Sequence, residues 1–174
     1  MLRRSFLVVG LAGAAVLATA GLWRARRAPL PPGRALDDEA RSIVAAIVPA
    51  MLAGALPDAP QTRDAAIAET VRNVDRAIFG LPPATRDEIG QLFALLALPP
   101  ARIAFAGVGA AWHEASVAEV GAFLDRWRDS GWALKRSAYD ALHQLITAAW
   151  YGDRRAWAAI GYPGPPAAGR RQDG

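Results

Sequence analysis

Cysteine is absent from the 174 residues. That excludes disulfides, thiolate metal sites, cysteine-ligated iron-sulfur clusters and cysteine nucleophiles, and it leaves the redox compartment open. Histidine occurs only at His113 and His143. Other chemistry-bearing patterns are missing as well. There is no G-x-S-x-G elbow, no Walker-type G-x-x-x-x-G-K and no C-x-x-C-H, and Gly107 and Gly109 do not follow a strand. No sustained alternating run of β-branched residues argues for a strand anywhere.

Positive charge is plentiful but confined. Residues 1 to 34 hold Arg3, Arg4, Arg24, Arg26, Arg27 and Arg34 with no acid, which leaves 14 basic against 16 acidic side chains, net −2. The sequence pI near 10.3 therefore reflects the first 34 residues and not the body. Without a basic stripe over the body, the electrostatic footprint of nucleic-acid binding is missing, and no nucleic-acid partner is expected. The remaining 140 residues amount to one domain. A chain of that size buries about two-thirds of the surface its unfolded form exposes, so it needs no staple.

The first residues read MLRRSFLVVGLAGAAVLATAGLWRARR. Two arginines, an apolar run from Phe6 to Leu17 and the small residues Ala18, Thr19 and Ala20 form a three-part export signal. Arg3-Arg4 followed by Ser5, Phe6 and Leu7 resembles the twin-arginine signal, so Arg3, Arg4, Phe6 and Leu7 are the expected export residues. Arg24, Arg26 and Arg27 after the apolar run oppose general secretion and fit the twin-arginine route. The expected processing is cleavage after Ala20. The alternative is an uncleaved anchor, since the apolar stretch from Phe6 to Trp23 is just long enough to span a membrane. Residues 24 to 33, stiffened by Pro29, Pro31 and Pro32, then act as a tether.

From Asp37 onward the apolar spacing is helical throughout and predicts an all-α fold, a single orthogonal bundle of about six helices over residues 35–174. Asp37, Asp38 and Glu39 suit a helix N-terminus, and Ile43, Val44, Ile47 and Val48 form its stripe, with a break or kink expected near Pro49. The spacing predicts a second helix from Thr62 to Gly80 with Ile67, Val71, Val74 and Ile78 inward and Arg72, Asp75 and Arg76 outward. A capping box of Thr85 and Glu88 starts a third helix, which stops at Pro99-Pro100. Gly107 and Gly109 weaken the segment from Ile103 to Trp112. Ser116 and Glu119 form another capping box ahead of Val120, Phe123, Leu124 and Trp127. A long last helix carries Leu134, Ala138, Leu142, Leu145, Ile146 and Trp150, with Gly152 expected as a left-handed cap.

Candidate catalytic residues are few. His113-Glu114 opens like H-E-x-x-H, but position 117 is Val117, so the second ligand is missing. His143 reads as a surface or partly buried histidine, and acid pairs such as Asp37-Asp38 and Asp87-Glu88 are explained by helix starts. No catalytic, cofactor-binding or metal-binding residue is assigned.

The aromatics are unevenly placed. Ten of fourteen lie between Phe105 and Tyr162, among them Trp112, Trp127, Trp132, Trp150 and Trp157. Tryptophan and tyrosine are enriched both in cores and at the buried centres of interfaces. The segment from Ala148 to Pro166 reads AAWYGDRRAWAAIGYPGPP. Its W-Y-G, W and G-Y-P-G-P elements resemble the closing segment of the gluconate 2-dehydrogenase subunit 3 family. Ile43 to Pro60 resembles that family's early helix with its proline, while residues 61 to 129 match in pattern alone. The resemblance implies a non-catalytic small subunit that binds, stabilises and escorts a large flavin-dependent dehydrogenase of the glucose-methanol-choline type, exported folded to the periplasm through the twin-arginine translocase. It implies no cofactor in this chain, FAD in the partner subunit, and in many complexes a heme-bearing cytochrome subunit. Trp150, Tyr151, Trp157, Tyr162, Pro163, Gly164 and Pro165 are then the expected partner-binding residues. Rival readings are an independent periplasmic enzyme using His113 with Glu114, and a stand-alone membrane-tethered helical protein.

Overall fold

The computed structural model describes residues 30–152, which form a helical bundle with no strand among the described residues. The helices are α1 (Asp38–Met51), α2 (Pro60–Phe79), α3 (Pro83–Ala97), the short α4 (Pro99–Ala101), α5 (Val117–Arg128) and α6 (Ala133–Tyr151). A π-helical turn, Arg102–Ala106, continues directly from α4. The all-α expectation holds.

α1 is the central helix and packs against α2, α3, α5 and α6. Its start is fixed by Asp37, whose side chain accepts from the Ala40 backbone N–H at 2.8 Å, and Asp38 and Glu39 place negative charge in the first turn. Ile43, Val44, Ile47 and Val48 are 0 % exposed. Contrary to the expected break, α1 runs through Pro49 and ends at Met51, where the Leu52 N–H bonds to Val48 at 2.9 Å. The proline lies in the last turn, so its missing N–H removes one bond where little helix remains to deflect.

Prolines start helices here as well as stopping them. α2 begins at Pro60, two residues ahead of Thr62, and α3 at Pro83, two ahead of Thr85, so the Thr85–Glu88 capping box is not used. Proline at the first turn loses no hydrogen bond and brings its φ preset, which outweighs a cap further along. At Leu98 the backbone becomes extended, and Pro99 restarts the helix at an angle of 85° to α3. Gly107, with φ +66°, closes the π-helical turn in the left-handed region.

In α5 the Ser116 hydroxyl caps the Glu119 N–H at 3.2 Å. The Glu119 carboxylate does not complete the reciprocal box; it accepts from the Gly109 N–H at 2.8 Å and ties the preceding loop to the helix. Val120, Phe123, Leu124 and Trp127 are buried as the spacing predicts. Trp112 and Phe123 meet edge to face at 5.9 Å, and Phe123 and Trp127 at 4.8 Å. In α6, Leu142, Ile146 and Trp150 are buried, but Leu134 is 75 % exposed, because the first turn of the helix extends past the core. Gly152 is right-handed, with φ −70° and ψ −17°, which corrects the expected left-handed cap.

The largest departure from the sequence reading is Asp75. Expected on the outer face of α2, it is 5 % exposed. Its Oδ1 accepts from the backbone N–H groups of Ala35 at 2.8 Å and Leu36 at 2.9 Å, and its Oδ2 from Arg41 at 2.6 Å. Arg34 stands 4.0 Å from the same carboxylate. Asp75 thus stitches the chain entering the bundle to α2. The outer ion pairs are of another kind. Hydrogen bonds from Arg34 and Arg128 hold the carboxyls of Asp38 and Asp129 below their ordinary range, so what these exposed pairs contribute is present above that range and lost as pH falls through the lowered values.

Candidate interaction surface

Of the residues expected to bind a partner, Trp150 and Tyr151 fall among those described. They belong to the last turn of α6 yet have opposite environments. Trp150 is 9 % exposed and packs with the core, whereas Tyr151 is 43 % exposed. The i to i+1 step on a helix rotates the side chain by about 100°, which turns one ring inward and the next outward. Trp157, Tyr162, Pro163, Gly164 and Pro165 lie outside the described residues, as do the export residues Arg3, Arg4, Phe6 and Leu7.

Beside Trp150 lies a groove of about 560 Å³, walled by the loop between α1 and α2, by α2 itself and by the end of α6. Gly54, with φ +82°, turns the loop that forms one wall. Ala65, Ala66, Glu69 and Asn73 come from α2, and Ala149 and Trp150 from α6. Helical spacing brings Ala66, Glu69 and Asn73 to one side of α2, and alanine there leaves room that a larger side chain would fill. The Asn73 amide reaches the Ala149 carbonyl at 3.4 Å and spans the two helices. Glu69 is paired with Arg72 on the same helix. The groove is largely apolar, with carboxylates and one amide along it, and its volume lies within the range of sites that accept a bulky side chain or a small ligand.

The other aromatics divide between core and surface. Trp112 donates its indole N–H to the Leu96 carbonyl at 2.9 Å, and Trp127 to the Phe105 carbonyl at 2.8 Å. Both are core residues that also pin backbone. Trp132 is 54 % exposed at the turn between α5 and α6, with the Lys135 ammonium 5.8 Å from its ring centroid. Sequence reasoning missed how tightly the segment between α4 and α5 is tied. Buried Arg102 donates to the Val108 and Gly109 carbonyls at 3.3 and 3.2 Å, and Arg126 to Ala106 at 2.7 Å.

His113 Nε2 lies 3.5 Å from Glu114 Oε1 at an exposed site, and His143 stacks on Tyr139 with centroids 5.9 Å apart. The two histidines are not brought into one constellation with a third group, and no cluster of three or more metal-ligating side chains occurs among the described residues. No single helix among those residues is long and apolar enough to cross a membrane. Comparison with protein-family models, with curated proteins and with solved structures gives no match for this chain.

Proposed function

We propose that this chain is a non-catalytic small subunit that binds a flavin-dependent dehydrogenase of the glucose-methanol-choline type and escorts it, folded, through twin-arginine export to the periplasm. What supports the reading is the placement of the W-Y-G element at the end of α6. Buried Trp150 fixes the helix terminus in the core while Tyr151 is exposed beside it. The glycine- and proline-rich segment that follows therefore starts from a rigid point. Prolines lower the entropy such a segment loses on docking, and glycines permit tight turns around Tyr162. In this assignment FAD belongs to the large subunit and heme to a cytochrome subunit, with no cofactor in this chain. The aromatic residues Tyr151, Trp157 and Tyr162 serve as anchors of the type that dominates interface energies.

Export is expected to depend on the guanidinium pair. Arg3→Lys with Arg4→Lys keeps the charge but not the planar donor geometry, and is expected to stop translocation of this chain and of the flavoprotein carried with it. Cell fractionation reads both proteins at once. Normal amounts of processed chain outside the cytoplasm would show that another route is used.

A further inference from the structure

The groove beside Trp150 has an apolar lining from Leu56, Ala65 and Ala66, and carboxylates from Asp58 and Glu69 in its wall. We infer that it seats Trp157 of the same chain, so that the stretch just after α6 folds back along α2 and sets the point from which the Gly161 to Pro166 run departs. The inference concerns the isolated chain, in which no partner engages Trp157, and does not depend on the flavoprotein reading.

Continuity comes first. Ala149 and Trp150 are themselves part of the groove wall, and the Gly152 N–H still bonds to the Ala148 carbonyl at 2.9 Å, so the helix is capped two residues beyond that wall. Trp157 is the first large apolar side chain after that point. Five residues from Gly152 reach at most about 17 Å when extended and about 8 Å when helical, which puts this groove within reach of the indole. Charge agrees with the placement. Residues 30–152 hold 11 basic and 14 acidic side chains, net −3, whereas residues 153–174 hold 4 basic and 2 acidic, net +2. Arg154 and Arg155 stand just ahead of Trp157 and can meet Asp58 and Glu69 as the indole enters. A side chain tethered this closely acts at millimolar effective concentration, which favours it over a second copy supplied from solution.

The absence of cysteine makes a direct test available, because an introduced pair reports one contact. In the otherwise unaltered full chain, Ala65→Cys is combined with Ala158→Cys, leaving Trp157 in place. Thr62→Cys provides a second exposed groove position. The control pairs Ala158→Cys with Ala84→Cys, on the first turn of α3 beyond the far end of α2, about 22 Å or more along the α2 axis from Ala65. The groove pairs are expected to form an intramolecular disulfide at least tenfold faster than the control, read by mass spectrometry. Adding Trp157→Ala is expected to bring that rate down to the control value. Equal rates for groove and control pairs overturn the inference. So do cross-links found only between chains, which assign the groove to a second copy, or a groove rate unaffected by Trp157→Ala.

Discussion

Replacing Asp75 by Ala is expected to lower the unfolding free energy by about 3 kcal/mol, a large fraction of a small domain's stability. Two effects add. The Ala35 and Leu36 N–H groups lose their acceptor, and a buried unpaired amide costs about 1 to 3 kcal/mol. Arg41 loses its carboxylate, but its side chain is 28 % exposed and rehydrates in part, which keeps the total at the lower end of the range for breaking a buried pair. Asp75→Asn retains an acceptor for the backbone and is expected to cost about half as much. Urea unfolding with an unchanged slope measures both. Because the carboxylate is buried, the loss is expected to persist at 1 M salt, where surface pairs are screened within about 3 Å. A change below about 1 kcal/mol in Asp75→Ala would place the residue in the class of solvated surface pairs.

Trp112→Ala is expected to destabilise by about 4 kcal/mol. The ring is 1 % exposed, meets Phe123 edge to face, and holds the Leu96 carbonyl at the end of α3. Its removal leaves a cavity and an unpaired carbonyl at the 85° corner where α3 gives way to α4. Trp112→Phe keeps most of the ring contact but removes the donor, and is expected to cost about 2 kcal/mol. Trp132→Ala, at a half-exposed ring, is expected to stay within about 0.5 kcal/mol and serves as the surface comparison. Thermal melts followed by near-ultraviolet circular dichroism rank the three. A Trp112→Ala protein as stable as Trp132→Ala would contradict the packing described.

The parts of the fold legible in the sequence are those where side-chain pattern alone decides. The α1 stripe from Ile43 to Val48 and the α5 face from Val120 to Trp127 are buried as their spacing requires, and Ser116 caps the helix its position announces. The misses occur where long-range contacts decide. Asp75 occupies a stripe position, since Val71, Val74, Asp75 and Ile78 follow the i, i+3, i+4, i+7 spacing. That spacing was a signal for a buried carboxylate, but its partners at Ala35 and Leu36 lie about forty residues away in sequence and become visible only in the fold. Thr85 lost to Pro83 because two helix-start signals competed and the earlier proline won. Leu134 repeats the helical period yet extends past the bundle, because periodicity gives a direction and not where the neighbouring helices end. The candidate surface was legible as composition: aromatics gathered toward the C-terminus. The groove was not, because the α1–α2 loop, α2 and α6 meet there from distant parts of the sequence.

Copurification decides whether this chain carries a flavoprotein, as proposed. The full chain, affinity-tagged and purified from the cells that produce it, is expected to bring down one large flavoprotein with the visible absorbance of bound flavin. The same chain lacking Ile160 to Gly174 is expected to keep its helical circular dichroism and to come down without flavin. Full-length chain that purifies free of any flavoprotein, or truncated chain that still retains it, would contradict the account.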